Sequence, residues 1–311
     1  MWFKNLIFYR FSAAFDKDTE TLESALAETP FHPCGSQELS RSGWIAPCRG
    51  LPDSLVYSCA GYHLICTQKE EKILPSGVIR QSLEERVQKI EKEEARKVYR
   101  REHTQLKDEI ILDLLPRAFS KRSQTYALIA PQAGLILVDA SSHKNAEDLL
   151  SQLRTSLGSL PVILTDVKQS PAAVMSHWLE QQEPLPTSLQ LLDEAELKDN
   201  LVEGGVIRIK GQELTSSEIV AHLEAGKRVA KLALEWDENL RFLLHEDLSV
   251  HRIKQTDQFK ERQQDVADDE LARFDADVAQ LGLELTRLIP DLLNAFGGEV
   301  AGASLEPAPK A

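Results

Sequence analysis

The sequence contains none of the short motifs that identify common catalytic or cofactor sites. A P-loop, a GxGxxG turn, a GxSxG elbow and an HExxH pair are all absent. The 8 histidines are dispersed, and the 4 cysteines form no CxxC pair and have no histidine at metal-ligand spacing. We therefore predict no cofactor, no metal site and no enzymatic activity, with reduced thiols in a cytosolic protein. The cysteines are Cys34, Cys48, Cys59 and Cys66.

Long apolar runs are missing as well. No stretch approaches the roughly 18 consecutive apolar residues of a transmembrane helix, so we predict no membrane span. The first residues, MWFKNLIFYRF, are apolar but lack the basic start and the small-residue cleavage site of a signal peptide. We expect a buried strand there.

Positive charge is scarce and unevenly distributed. The 311 residues hold 36 Lys and Arg against 49 Asp and Glu, a net charge of −13. Residues 68–122 reverse this balance with 14 basic against 11 acidic residues, whereas residues 144–250 hold 10 against 18. The overall acidity excludes a uniformly cationic surface. It does not exclude a local site for a polyanion, because the field at a surface follows the nearby groups.

Length and pattern predict an α+β chain with antiparallel sheets in two domains. A hydrophobic content of 42% over 311 residues is enough for two or three compact units. Hairpins are predicted at residues 55–69 and 123–141, and a three-stranded meander is predicted from KRVAKLALEW to LSVHRIKQ. One long helix is predicted from Pro75 to Leu115, where Pro116 ends it.

Five cations fall on one arc of this predicted helix. They could follow a phosphate backbone and gain affinity by releasing condensed counterions. They also suit a solvated helix in which Lys and Arg pair with Glu one turn away. The narrow apolar arc predicts packing on one side only, as an arm of a projection bent near residues 103–105. The five are Arg86, Lys89, Lys92, Arg96 and Arg100.

The segment LLPRAFSKRSQ, residues 114–124, places Phe119 beside Arg117, Lys121 and Arg122. Phe119 could be an ordinary core residue. It could also be an exposed anchor that fills a pocket on a partner, with the cations at the polar rim. The residues alone leave both interpretations open.

Two lysines of KRVAKLALEW, Lys227 and Lys231, are four residues apart on a predicted strand. This spacing predicts that both point to one face of the sheet. They are candidates either for phosphate contacts or for solubilising surface groups.

Six blocks of sequence together resemble the RdgC family of recombination-associated proteins, over essentially the whole chain. They are FHPCGSQE at 31–38, KEEKILPSGVI at 69–79, LLPRAFSKRSQT at 114–125, LRTSLGSLPV at 153–162, LQLLDEAELKD at 189–199 and GGVIRIKGQELTSSEIVAHLEAGKRVAKLALEW at 204–236.

This resemblance implies a non-enzymatic DNA-binding protein that forms a ring-shaped homodimer. Duplex DNA would pass through a positively lined hole with little sequence preference, and single-stranded DNA is a further candidate partner. The resemblance also implies restraint of RecA-promoted recombination by a cytoplasmic, nucleoid-associated protein. The ring would close at a broad contact between base domains and at a smaller gate between helical tips.

The resemblance also assigns residues and domains. The gate phenylalanine maps onto Phe119, and the DNA contacts map onto Arg117, Lys121, Arg122, Lys210 and Gln212. We expect a centre domain of residues 1–74 with 118–165, a helical tip of 75–117, a base dimerisation domain of 166–300 and a disordered tail of 301–311.

Two other classes of function remain open at this point. One is a scaffold that binds recombination proteins, RecA among them, through its long helices, with incidental DNA binding. The other is a nuclease whose site is not evident in the sequence.

Overall fold

The structure, a computed structural model, describes residues 2–199, 204–262 and 269–300. Within these ranges the chain forms 12 strands and 8 α-helices. The strands are β1 Ile7–Phe11, β2 Ser40–Ile45, β3 Val56–Cys59, β4 Tyr62–Ile73, β5 Phe119–Ala130, β6 Leu135–Val138, β7 Val162–Leu164, β8 Leu189–Asp199, β9 Val206–Lys210, β10 Lys227–Trp236, β11 Leu240–His245 and β12 Val250–Gln255. The helices are α1 Thr19–Leu26, α2 Ser76–Glu94, α3 Arg100–Leu114, α4 His143–Leu157, α5 Pro171–Leu179, α6 Ser217–Glu224, α7 Asp257–Arg262 and α8 Glu270–Ala295.

The chain divides into two compact units. The first comprises the described residues of Met1–Leu26, Ala46–Cys66 and Thr125–Ala311, and the second comprises Ala27–Ile45 and Thr67–Gln124. Two of the boundaries between them fall within β4 and β5, and the other two follow α1 and β2. The predicted disordered tail, residues 301–311, lies outside the described residues.

The first unit contains a five-stranded antiparallel sheet in the order β12-β11-β10-β8-β9. Its other strands follow the order β4-β5-β6-β1-β7, with β3 on β4. The antiparallel partners of β1 are β6 and β7, and β5 pairs antiparallel with β6. The predicted α+β class with antiparallel sheets is confirmed, as are the meander β10–β12 and both predicted hairpins.

Helix α8 shows why the core of the first unit forms where it does. Its apolar residues recur every three or four positions, which places them on one face of the helix. Asp269 caps the helix start by accepting a hydrogen bond from the Ala272 N–H at 3.3 Å. The buried face then joins the core that both groups of strands share. Its residues include Val278, Leu281, Leu285, Leu288 and Leu292.

The second unit contains β2, the later part of β4, the earlier part of β5 and a helical hairpin. In the hairpin, α2 and α3 pack on a small core of Leu83, Leu106 and Ile110. They run antiparallel, because Arg86 lies near Glu109 while Arg96 lies near Glu102.

The single helix predicted from Pro75 to Leu115 is therefore wrong, and so is its bend at residues 103–105. Helix α2 ends at Glu94, and Ala95 adopts the left-handed conformation with φ 50°. The chain then turns back into α3 at Arg100. A continuous helix would have left its narrow apolar arc in water. Doubling back packs Val98 and the α3 residues against that arc.

Gly43, in β2, lies against the backbone of a neighbouring segment. A Cβ at this position would lie 2.3 Å from the Phe31 Cα. Phe31 donates its N–H to the Trp44 carbonyl at 2.9 Å, and Trp44 donates to the Thr29 carbonyl at 3.1 Å, so the two segments cannot separate freely. Only glycine fits this approach.

We expect Gly43→Ala to lower the free energy of unfolding by about 1–3 kcal/mol, because the backbone must shift to admit the methyl group. Urea denaturation followed by tryptophan fluorescence measures this. Gly77→Ala in α2 is the matched control, since nothing lies within 4 Å of its Cβ and alanine favours the helix. A Gly43→Ala protein as stable as the parent would contradict the close approach.

Candidate nucleic-acid interface

Neighbouring strands of the five-stranded sheet place a ladder of opposite charges on one face. In the register of β8 and β9, Glu194 lies opposite Lys210 and Glu196 lies opposite Arg208. Directly opposite residues project to the same face. The nitrogen-to-oxygen distances are 3.5 Å for Lys210 and Glu194 and 2.9 Å for Arg208 and Glu196. The apolar residues between them, such as Ile209, point the other way into the core.

Two more cations complete this ladder. Lys231 on β10 lies 3.1 Å from Glu196, and Arg252 on β12 lies 3.0 Å from Glu194. Hydrogen bonding from Arg252 and attraction to Lys210 lower the pKa of Glu194. Burial raises the pKa of Glu196, but hydrogen bonds from Arg208 and Lys231 outweigh it, so the net shift is downward. Both carboxylates are therefore charged at neutral pH and form ion pairs with the four cations around them.

The predicted cations of the second half are thus not free. Lys210 and Lys231 belong to this ladder, and Lys227 lies 3.7 Å from Asp199. The predicted contact Gln212 is exposed, directly after the turn at Gly211. An anion that binds these lysines must displace carboxylates from them.

The expectation that Lys227 and Lys231 share one face is wrong. Lys227 lies opposite Asp199, and Lys231 lies opposite Glu196, with a register shift between Val229 and Lys231. Glu196 and Asp199 are three residues apart in β8, so they point to opposite faces. The bulge adds one residue to β10 and turns Lys231 away from the face of Lys227.

A stacked pair of histidines lies on the same face as Lys231. His245 is directly opposite Lys231 in β10 and β11, and its ring stacks on His251 with centroids 3.8 Å apart. Ser249 Oγ lies 2.9 Å from His251 Nε2 and donates to Asp247 at 2.5 Å. Burial lowers the pKa of His245 to about 4, and the neighbouring His251 and Lys231 add to this effect against Asp247 and Glu196.

His251 itself has its pKa lowered by burial, with Asp247 opposing the shift and Lys231, Arg252 and His143 favouring it. Both rings are therefore neutral at neutral pH. They add no positive charge to the ladder unless the pH falls.

In the second unit, Phe119 is the first residue of β5 and is 84% exposed. This excludes the interpretation as a core residue within the fold of one chain. Lys121, two residues on, projects to the same face of the strand. Cross-strand contacts of Glu70 with Arg122 and of Gln68 with Gln124 set the register of β4 and β5. Because these contacts make the two strands antiparallel, the half-exposed Ile73 at the end of β4 and Phe119 at the start of β5 lie at the same end of the strand pair.

Arg117 and Lys121 are both exposed. Neither forms an ion pair or a side-chain hydrogen bond within the part of the chain that the structure describes. Every predicted cation of the first unit, in contrast, forms an ion pair with a carboxylate.

Arg122 points to the other face of β5. Its guanidinium donates to the Glu70 carboxylate at 2.9 Å and lies 5.6 Å from the centre of the Phe31 ring. Glu70 is only 4% exposed, and hydrogen bonds from Ser120 and Arg122 lower its pKa. The alternation of the strand thus places Lys121 and Arg122 on opposite faces of β5, whereas Arg117 precedes the strand.

The predicted helical stripe is divided by the turn between α2 and α3. Arg86, Lys89 and Lys92 lie on α2, whereas Arg96 lies in the turn and Arg100 begins α3. Arg86 is 3.7 Å from Glu109 and 3.8 Å from Asp113. Lys89 and Lys92 are exposed and have no ion-pair partner among the described residues. The prediction that these five cations form one continuous stripe on a single helix is wrong.

Several residues of this interface were missed by sequence reasoning. They are the two carboxylates of the ladder, its two arginines and the stacked histidines. A signal for the ladder exists, because EAELK in β8 and VIRIK in β9 alternate charged and apolar residues with matching period. Pairing them requires the register of two strands, which neither segment specifies alone. The missed residues are Glu194, Glu196, Arg208, Arg252, His245 and His251.

The described ranges contain neither a cluster of metal-binding side chains nor a membrane-spanning helix. No three His, Cys, Asp or Glu side chains there gather closely enough to hold a metal ion. Of the helices at residues 2–199, 204–262 and 269–300, none has the length and apolar character needed to cross a bilayer.

Comparison with known proteins gives consistent matches. The family model described as "Putative exonuclease, RdgC" matches residues 1–299. "Recombination-associated protein RdgC" of Shewanella sp. (strain ANA-3) is 50% identical over 300 residues, covering 96% of this chain and 98% of the relative. The proteins of that name from Shewanella loihica and Aeromonas hydrophila are each 47% identical, covering 96% of this chain and 98% and 99% of the relatives. These names state an association with recombination and no enzymatic activity, whereas the family description names an exonuclease.

The lowered pKa of His245 predicts that the stability of the protein depends on pH. His245 is neutral when folded but has a pKa near 6.5 when unfolded, so between pH about 6.5 and 4 the unfolded state binds more protons. The contribution of His245 to the free energy of unfolding is fully present above this window and is lost as the pH falls through it. We expect His245 to account for a loss of up to about 2 kcal/mol between pH 7.5 and 5.0, measured by urea denaturation.

His245→Phe keeps an aromatic ring on His251 but cannot be protonated, so its stability should change less between the two pH values. His32→Gln, at an exposed position, should retain the full change. An equal change in the parent and in His245→Phe would show that the pair does not control this dependence.

Proposed function

The chain belongs to the RdgC family, and we propose that it is a sequence-nonspecific DNA-binding protein that encircles duplex DNA as a ring-shaped homodimer. In this proposal it acts in recombination by occupying DNA that RecA requires, and it does so in the cytoplasm on the nucleoid. The recombination-associated names of its relatives support the process, and the local excess of basic residues in 68–122 supports the polyanionic partner.

The exposed Phe119 beside unpaired cations is the observation that carries the proposal. Burial of an aromatic ring contributes about 25 cal/mol per Å² of apolar surface removed from water, and a chain with an 84% exposed phenylalanine gains this only from a partner. In a homodimer, a second copy offers the same surface in a symmetric contact. We assign Phe119 to the gate of the ring, with Ile73 beside it.

The phosphate contacts differ in how available their cations are. We assign contacts first to Arg117 and Lys121, which bind no carboxylate among the described residues. Lys89 and Lys92 on α2 are available in the same way. Arg122 would have to leave Glu70, and Arg86 and Arg96 would have to leave their acidic neighbours.

The charge ladder of the first unit supports weak, exchangeable contacts. We assign Lys210, Lys231 and Gln212 to the lining of the hole, where phosphate would exchange with Glu194 and Glu196. Breaking one ion pair to form another gains little free energy, so each contact is weak. Encirclement would supply the retention that such contacts lack. Lys227, held by Asp199 on the other face, is the remaining candidate.

The domain arrangement is part of this proposal. Residues 1–74 with 118–165 would form the centre, residues 75–117 the helical tip and residues 166–300 the base that dimerises. The gate residue Phe119 would lie where the tip joins the centre. The acidic balance of residues 144–250 and 251–311 would discourage DNA from binding outside the hole.

Encirclement predicts that retention depends on DNA topology. We expect the parent protein, loaded at low salt and then washed at high salt, to remain on a closed circular plasmid and to leave the same plasmid after linearisation. Salt weakens the phosphate contacts, but a closed ring can leave only at an end. Phe119→Ala should be lost from both forms, because the gate contact that keeps the ring closed is removed.

Leu112→Ala is the matched control, because Leu112 is another exposed apolar residue of the second unit. It should be retained like the parent, and circular dichroism should show all variants folded. Equal loss of the parent from circular and linear DNA would refute encirclement. Failure of the parent to bind any DNA would favour the scaffold, and cleavage of the plasmid in Mg²⁺ or Mn²⁺ would favour a nuclease.

A further inference from the structure

The turn that joins α2 to α3 exposes an aromatic side chain among cations. Tyr99, the residue before α3, is 74% exposed. Lys97, Arg100 and Arg101 surround it in sequence and are also exposed. With a rise of about 1.5 Å per residue, α3 separates this turn by roughly 22 Å from the end of the helix that leads to Phe119. The turn is therefore a surface separate from the proposed gate.

Internal contacts fix the conformation of the turn. The Arg96 guanidinium donates twice to the Glu102 carboxylate, each at 2.7 Å, and once to Glu94 at 2.6 Å. Glu91 accepts the Val98 N–H at 3.0 Å. Val98 packs against the hairpin core. Because Arg96 and a backbone N–H hold these three glutamates in internal contacts, the turn is preorganised.

The three other cations have no such internal role. Lys97, Arg100 and Arg101 form no ion pair or side-chain hydrogen bond within the described ranges. Arg100 and Arg101 lie in the first turn of α3, where the helix dipole disfavours positive charge. The stability of the helix does not explain their presence. An anionic partner would account for it.

We propose that this turn binds unpaired bases of single-stranded DNA, with the Tyr99 ring stacked on a base and Lys97, Arg100 and Arg101 on the adjacent phosphates. A flat, exposed ring fits a base because every base offers a π-face, and cations beside it match the backbone. An acidic protein segment would use the cations but would leave the ring without an apolar surround. The inference rests on the proposed function only in taking DNA as the partner.

Two changes at one position test the stacking. In the full chain, Tyr99→Ala should weaken binding of a fluorescein-labelled 15-nucleotide oligo-dT by at least about fivefold. Its affinity for a blunt 15-base-pair duplex should fall by less than about twofold, because stacked pairs do not offer their faces. Tyr99→Phe, which keeps the ring, should bind oligo-dT within about twofold of the parent. Fluorescence anisotropy at fixed salt measures all three.

Leu112→Ala, an exposed apolar change elsewhere on α3, should alter neither affinity. The inference is overturned if Tyr99→Ala leaves oligo-dT binding unchanged, if it weakens both DNAs equally or if Tyr99→Phe fails like Tyr99→Ala. Loss of binding to poly-glutamate with oligo-dT unaffected would instead assign the turn to an acidic protein. The plasmid experiment tests the ring independently of Tyr99. Failure of the stacking proposal can therefore be told apart from failure of the ring proposal.

Discussion

Pairing of cations with carboxylates on neighbouring elements determines which positive charges this acidic chain can offer to a partner. In the first unit, Glu194 and Glu196 hold four cations from β9, β10 and β12. In the second unit, Arg117 and Lys121 have no carboxylate partner among the described residues. The number of Lys and Arg in a segment is therefore a poor guide to its affinity for a polyanion. What matters is the free energy of exchanging a carboxylate for a phosphate, which is small when both are solvated.

In the second unit, some arginines bind glutamates of the same unit and others remain in solvent. Arg122 and Arg96 each bind glutamates of their own unit and fix a segment beside an exposed ring. The cations next to them remain in solvent, beside Phe119 in one case and Tyr99 in the other. Since both segments are preorganised, a partner would not have to order them on binding, which lowers the entropic cost of the contact. The two exposed rings thus lie on different surfaces, and we propose a second protomer as the partner of one and unpaired bases as the partner of the other.

Both hairpins and the meander β10–β12 could be predicted from the sequence, because their runs of strand-forming residues are bounded by turn residues. The features that decide the site depend on contacts between elements. The chain turns at Ala95, which is not a glycine, so the sequence gives no local signal for the end of α2. The division into two helices follows from the packing of Val98 against the hairpin core. The bulge between Val229 and Lys231 separates two lysines that spacing had placed on one face. Arg122 and Lys121 are adjacent in sequence and therefore point to opposite faces of β5. The Phe119, Lys121 and Lys210 assignments remain predictions of role, although exposure and pairing now distinguish among them.

The most direct test of the account compares an unpaired cation with a paired one. The dependence of log K on log salt for a duplex should lose close to one phosphate contact in Lys121→Ala, a change in slope of about 0.9. Lys210→Ala should change the slope distinctly less, because phosphate binding there releases Glu194 to attract cations from solution. Equal changes in slope for the two variants, or a larger change for Lys210→Ala, would contradict the claim that carboxylate pairing governs the available charge.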